Sequence, residues 1–438
     1  MQSIQVENRF GWGARFGETR TTPWREWLAE QLGPDDPTLF VGVGDCADGL
    51  IALRTQREGK LRGNPLVKPI LQAELATQSA ALLSTQQPFR DRLAWFWCNH
   101  FTVSQKQDRV KGVAGAYMRE AIRPHVTGRF VDMLMAVMRH PAMLLYLDNT
   151  GSVGPDSPAG LRQHRGLNEN LARECLELHT LSPAAGYSQS DVTSFAAILT
   201  GWSVDMKAAR PGFHFTQRAH QPGEKTLLVQ RFPEGEEGGV AALTFLGTHP
   251  ATYRHIATQM VRHFLTDTPS PAQVVPVFDA LSRTQGNLRA ASLALIDLPG
   301  AASPGATKGK LRSPMEFVVA TLRASGAMPT DIPPDAPHSP ARLLINGCAA
   351  LGQPLWTAPM PNGWSDCAAE WSAPADLLAR TDWAYRYAAT LRDRDPMTIA
   401  HAALGASLRS ETQLAMHHAG SRQDALTLLF SSPEFQRR

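Results

Sequence analysis

A mainly α fold, a large irregular helical domain with one small β-hairpin, follows from three observations. Helix-start signals recur along the whole chain. Apolar residues between them return at helical spacing. A single stretch reads as paired short strands instead.

In order, Thr22-Pro23 opens a helix over 24–32, with proline in its first turn. Leu66 to Leu83 and the aromatic-rich Phe89 to Phe101 carry apolar residues at helical spacing. Ala114 to Ile122 and Phe130 to Met138 follow, with Gly128 between them. Ser188 and Asp191 form a start resembling a capping box for a helix through Leu199. His249-Pro250 opens a helix to Phe264, and Ser270-Pro271 another to Leu281. Ser313-Pro314-Met315-Glu316 is a capping box with proline in the first turn, running to Arg323. Ser339-Pro340 and Ala373-Pro374 open two more, and Asp424 to Leu429 is helical. The exception is Phe213 to Thr216 with Thr226 to Val229, expected to pair as a hairpin around His220, Pro222 and Gly223. Pro/Gly-rich joints lie at 151–166, 233–239, 299–309 and 329–340. The last divides a helical body over 1–330 from a C-terminal helical lobe over 340–438, packed on it and readable as one continuous domain.

Composition narrows the class. Of 438 residues, 43% are hydrophobic and 19% charged, enough for a large core without disulfides or metal. The net charge of +3 is spread along the chain, which argues against a nucleic-acid-binding stripe. The five cysteines are odd in number, scattered and free of any CxxC, as expected of buried free thiols. The first twenty residues hold Glu7, Arg9, Arg15 and Glu18 and no apolar core, so no secretory signal is expected. No apolar run suits a membrane span. Cytoplasm is the expected compartment.

The segment Asn168 to Leu181 concentrates polar groups beside a core stripe. Glu169, Arg173 and Glu177 recur every fourth residue and stack on one helix face, with Asn170 and Glu174 beside them. One reading is an Arg173 clamp between two glutamates. The other makes Glu174 or Glu177 a general acid/base, its pKa raised by the like charge nearby. Asn99-His100 ends the aromatic helix. It is either a core histidine bonded to a backbone carbonyl or an imidazole oriented by Asn99 for acid/base or ligand work. His220, before a Pro-Gly turn, is expected on an exposed loop tip, with Lys225 near it. His255 and His263 lie two helical turns apart, about 12 Å along the axis, and cannot share a metal. Trp202 and Trp364 read as loop plugs or pocket walls. Residues 305–310 suggest a P-loop, but Leu311 stands where Ser or Thr should hold Mg²⁺. HExxH, GxSxG, ExxH and GxGxxG motifs are missing.

These stretches together resemble the DUF1800 family, a bacterial domain of unknown function. The resemblance runs through Phe96-Trp97-Cys98-Asn99-His100-Phe101, Asp148-Asn149, Asn168 to Leu181 and Leu199-Thr200-Gly201-Trp202. It continues through the 213–228 stretch, His249-Pro250-Ala251-Thr252 and Ser313 to Phe317. Leu351-Gly352-Gln353-Pro354, Pro361-Asn362-Gly363-Trp364 and the Ser432 to Arg437 tail complete it. It implies a domain often encoded beside DUF1501, a family similar to alkaline phosphatases and sulfatases with many exported members. That association makes the periplasm the alternative compartment and a DUF1501-type protein the candidate partner. Two positions depart from the pattern. Gln221 stands where relatives usually have Asp, and Gln259 where they usually have Lys.

The expected function is acid/base enzymology, hydrolytic or group-transfer, on a polymer or envelope-related substrate. Glu174, Glu177, His100 and His220 are the candidate catalytic residues. Arg173, Asn99, Asn170, Glu169, Lys225, Trp202 and Trp364 are the candidate substrate contacts. No metal ligand or cofactor is assigned. A glycosidase would need a second carboxylate across the substrate, such as Asp148 or Glu224. The alternatives are a non-catalytic helical accessory protein serving a DUF1501-type partner, and a histidine-based metal-binding protein.

Overall fold

Local capping decides most of the architecture. The computed structural model describes residues 2–18, 20–302, 309–329, 336, 338–391 and 393–438, with the side chains of 2, 3 and 37 excepted. Full capping boxes start Gln189–Leu199, Pro271–Arg283 and Pro314–Ala324. His249 caps Pro250–Phe264, its Nδ1 accepting from the Ala251 amide at 3.1 Å. Val67–Ser84, Pro88–His100, Phe130–Arg139, Pro340–Ala350, Pro374–Ala388 and Arg422–Ser431 also lie close to expectation. Pro23 sits at the N-cap of Trp24–Glu30 rather than inside it.

Helices over Cys46–Glu58, Glu236–Gly247, Leu288–Ile296 and Pro396–Leu404 lack an expected counterpart. Two expected helices change pitch. Ala114–Tyr117 is α and Met118–Ile122 is π; Asn170–Glu174 is α and Cys175–His179 is π.

The expected strands exist but pair differently. β1 (Trp202–Asp205) pairs antiparallel with β2 (Gly212–Phe215), Trp202 opposite Phe215. β3 (Lys225–Leu227) pairs antiparallel with β4 (Gln230–Phe232), Lys225 opposite Phe232. The reason is local closure. Leu228, at φ 54°, turns β3 back at once onto β4. β2 instead returns to the strand just before it.

Two apolar clusters form the interior. The larger one includes Phe10, Phe89, Trp97, Phe101, Phe130, Phe195 and Phe264. The other includes Phe317, Trp383, Phe430 and Phe435. Pro314–Ala324 is buried along its whole length. The joint expected at 329–340 falls mostly outside the described residues, as do positions 305–308 of the stretch that suggests a P-loop. No helix among the described residues is long and apolar enough to cross a membrane.

Candidate functional site

The end of Pro88–His100 lies against the π-turn of Cys175–His179. A π-turn takes an extra residue per turn and recurs at functional sites. The carbonyls of Leu178 and His179, at its end, accept bonds from two histidines of other helices. His100 Nε2 donates to the His179 carbonyl at 3.2 Å, and His255 Nε2 donates to the Leu178 carbonyl at 3.0 Å. A carbonyl can only accept, so both rings carry their proton on Nε2. Nδ1 of each ring is then an unprotonated lone pair with no protein partner among the described residues. The ring centroids are 5.9 Å apart. Burial pushes the pKa of both below the usual histidine value, and for His100 the neighbouring His179 and His255 add to this.

His100 and His255 line a cavity of about 350 Å³. Asn99, Gln259, Arg262, Asp267, Trp364, Asp366 and Cys367 are also on its wall. Asn99 and Trp364 clasp each other: Asn99 Nδ2 donates to the Trp364 carbonyl at 2.9 Å, and the Trp364 amide returns a bond to Oδ1 at 2.8 Å. Asn99 therefore orients the tryptophan loop and not His100, a correction to the expected pairing. Gly363 makes the clasp possible, with φ 74° and a Cβ position that would lie 2.5 Å from the Asn99 carbonyl. Trp364 also packs on Trp371, centroids 5.9 Å apart.

Behind the cavity lies an ionic network. Asp366 accepts from His263 Nδ1 at 2.7 Å, and His263 Nε2 accepts from Arg92 Nε at 3.4 Å. Both ring nitrogens of His263 are thus occupied. Burial drives its pKa down to about 4 despite Asp366. Burial pushes Asp366 up, but His263, Lys310 and Arg438 outweigh it and hold the carboxyl well below its ordinary range. Glu316 does more than cap its helix: it also accepts from Arg92 and, at 3.2 Å, from Arg438 Nε. Lys310 bonds Asp267 and the Asp366 carbonyl. Sequence reasoning marks none of Asp267, Asp366 or Arg262, and marks Gln259 only as a departure from the family pattern. Asp366 carried one usable signal, an acid two residues beyond the Gly-Trp loop.

The expected site residues do not all meet here. His220 is buried, 2% exposed, and not on a loop tip. Its Nδ1 donates to the Thr200 carbonyl at 2.8 Å and its Nε2 accepts from the Gly235 amide at 2.9 Å. The ring ties the end of Gln189–Leu199 to the loop before Glu236–Gly247. Lys225 is buried too, its Nζ 3.0 Å from His220 Nε2 and bonded to the Gln221 carbonyl. Gln221 makes two bonds with Asp156, accepting from its amide at 3.1 Å and donating to its carboxylate at 2.8 Å. A carboxylate at 221 would face Asp156 with like charge.

The clamp expected of Arg173 is half formed. Arg173 bonds Glu169 at 2.7 Å and Gln189 at 3.0 Å, and Glu169 also accepts from Thr193 at 2.7 Å. Arg173 makes no ion pair with Glu177 among the described residues, because the π-turn rotates Glu177 off that row. Glu174 is held above the usual carboxylate range, by burial first and by Glu177 second. Neither glutamate lines the histidine cavity. Asn170 is exposed at the helix start, its amide bonded to Asn168 Oδ1 at 3.0 Å. Trp202 is a fully buried plug against Gly239, whose Cβ position would lie 2.5 Å from its ring. Asp148 is paired with Arg109 and Glu224 with Arg231, at 3.4 Å for the latter.

Fold and site thus define a mainly helical protein with a polar, histidine-walled cavity between its central helices. The chain belongs to the DUF1800 family, described as a protein of unknown function, whose profile matches residues 5–437. No curated protein and no solved structure matches it.

Proposed function

We propose that this protein is an acid/base enzyme of hydrolytic or group-transfer type, acting at the His100/His255 cavity. The observation that carries the reading is the pair of Nδ1 lone pairs, each aligned by a carbonyl bond at Nε2 and free of protein partners. A neutral imidazole so held accepts a proton from a nucleophile without first losing one. Trp364, backed by Trp371, offers an apolar face to a sugar or other ring. Arg262 offers a positive charge to an anionic group on the same wall. A polymer of the cell envelope is the substrate class proposed, on the association of the family with DUF1501 proteins. Glu174, with its raised pKa, is the candidate acid of an alternative site outside this cavity, Glu177 raising it further. His220 does not contribute an open nitrogen to this reading.

The test is turnover of phosphoester, sulfate-ester and glycan substrates by the full chain and by His100→Gln and Glu174→Gln. A loss of about a hundredfold or more in His100→Gln, with folding intact, is expected. Unchanged turnover in His100→Gln sinks this reading and returns the role to Glu174.

A second reading has one observation in its favour. Leu378 is 63% exposed, Leu414 57% and Tyr385 48%, on helices of the C-terminal region. An accessory protein docking a DUF1501-type partner would cover exposed apolar side chains of this kind. Co-elution of the two purified proteins, lost in Leu378→Asp, tests it.

A further inference from the structure

We infer that His100 and His255 together bind a divalent transition-metal ion of the zinc or cobalt class in the cavity they line. The inference uses the same two Nδ1 atoms as the proposed activity; a nitrogen that holds an ion cannot also accept a proton, so metal titration and turnover by the metal-free chain read out the two separately.

The donor chemistry comes first. Metal-ligating histidines characteristically donate their second ring N–H to a carbonyl or carboxylate, which fixes the tautomer and aims the lone pair. Both rings do this here, and to successive carbonyls of one π-turn. One rigid feature therefore sets both orientations. The rings come from different helices, Pro88–His100 and Pro250–Phe264, and approach to 5.9 Å between centroids.

The neighbourhood supplies an independent observation. His179 is fully buried and neither of its ring nitrogens has a partner. Its centroid lies 5.8 Å from that of His100. Three imidazoles gather with no carboxylate or carbonyl answering the last of them. His179 is not on the cavity wall, so it is not a third ligand.

Among the described residues no third side-chain donor sits close enough to His100 and His255 to complete a protein-only set. Asp267 is engaged by Lys310 and, at 2.8 Å, by the Ala368 amide. Asp366 is engaged by His263. The remaining coordination positions fall to water, so the site has one protein ligand fewer than an open catalytic zinc site. Arg262 on the same wall opposes a cation and limits the affinity.

A rival cluster fails on the same chemistry. Cys46, Glu120 and His140 bring ligand atoms within 4.8 Å of one another. There His140 Nδ1 accepts from the Ala142 amide at 3.1 Å, so its Nε2 carries the proton and faces Glu120. Glu120 already accepts from the Cys46 amide at 2.8 Å, and burial pushes the Cys46 thiol well up. His140 has no open nitrogen, and both Glu120 oxygens already accept a bond.

The experiment is titration of the chelator-stripped full chain with Co²⁺, followed by visible absorption and calorimetry, with Zn²⁺ competition. One ion per chain is expected. His100→Ala and His255→Ala should each weaken binding about tenfold or more. Gln259→Lys, which keeps both ligands and adds a cation to the wall, should weaken it by a similar factor and decides the matter if the histidine variants do not fold. His140→Asn should leave binding unchanged. The inference is overturned by no stoichiometric binding to the parent chain. It is equally overturned by parent-like affinity in any of the three cavity variants, or by loss of binding in His140→Asn alone.

Discussion

His100 and His220 each stand near a helix or turn end, yet the fold uses them in opposite ways. His220 has both ring nitrogens engaged, by the Thr200 carbonyl and the Gly235 amide. His100 has one engaged and one open to a cavity. The difference is in what surrounds them. Around His220 the backbone supplies both a donor and an acceptor, so the ring is a tie between segments. Around His100 the backbone supplies only an acceptor, and the other side of the ring is space. Chemistry is available where a nitrogen is oriented without being used.

The comparison can be broken most forcefully at His220. His220→Ala removes a buried ring and strands the Gly235 amide and the Thr200 carbonyl. A loss of about 3 kcal/mol is expected in denaturant unfolding. A loss under about 0.5 kcal/mol would mean that the tie is not one. His100→Gln should cost only about 1 kcal/mol, one carbonyl bond, while removing function at the cavity. Equal destabilisation by the two substitutions would erase the contrast.

His179→Phe sharpens it through pH. Burial drives the His179 pKa to about 3, below the unfolded value near 6.5. The unfolded chain therefore binds a proton that the folded chain refuses, and stability falls as pH drops from about 6.5 toward 3. His263, driven to about 4, contributes in the same direction. The phenylalanine variant should show a shallower fall of Tm between pH 7 and pH 4, with no loss at pH 7, since no hydrogen bond to the ring is removed. An unaltered pH slope would show that His179 is not buried and neutral. The smallest effect belongs to the surface row. Arg173→Ala should cost about 0.5 kcal/mol or less, because its pair with Glu169 is partly exposed and salt-screened. A cost of several kcal/mol would make that row a structural clamp after all.

Legibility follows the range of the interaction. The box Ser313/Glu316 and the cap at His249 are three- and two-residue arrangements, so the helix starts stand plainly in the chain. The strands over 213–215 and 225–227 were legible, but their partners were not, because either pairing satisfies the same alternation. The Asn168 to Leu181 segment stands out in the sequence for its charges. Its contribution to the cavity is two backbone carbonyls, which every residue type possesses and no sequence pattern announces. The row Glu169, Arg173, Glu177 assumed an α pitch that the π-turn interrupts.

The sequence by itself determined the helical class, the family and which polar residue types were available, because capping and apolar spacing act between near neighbours. Only the tertiary structure decided which imidazole nitrogens were spent and which were left open. That choice depends on where carbonyls and amides some 80 residues away in the chain come to rest, as His100 on His179 and His255 on Leu178 do.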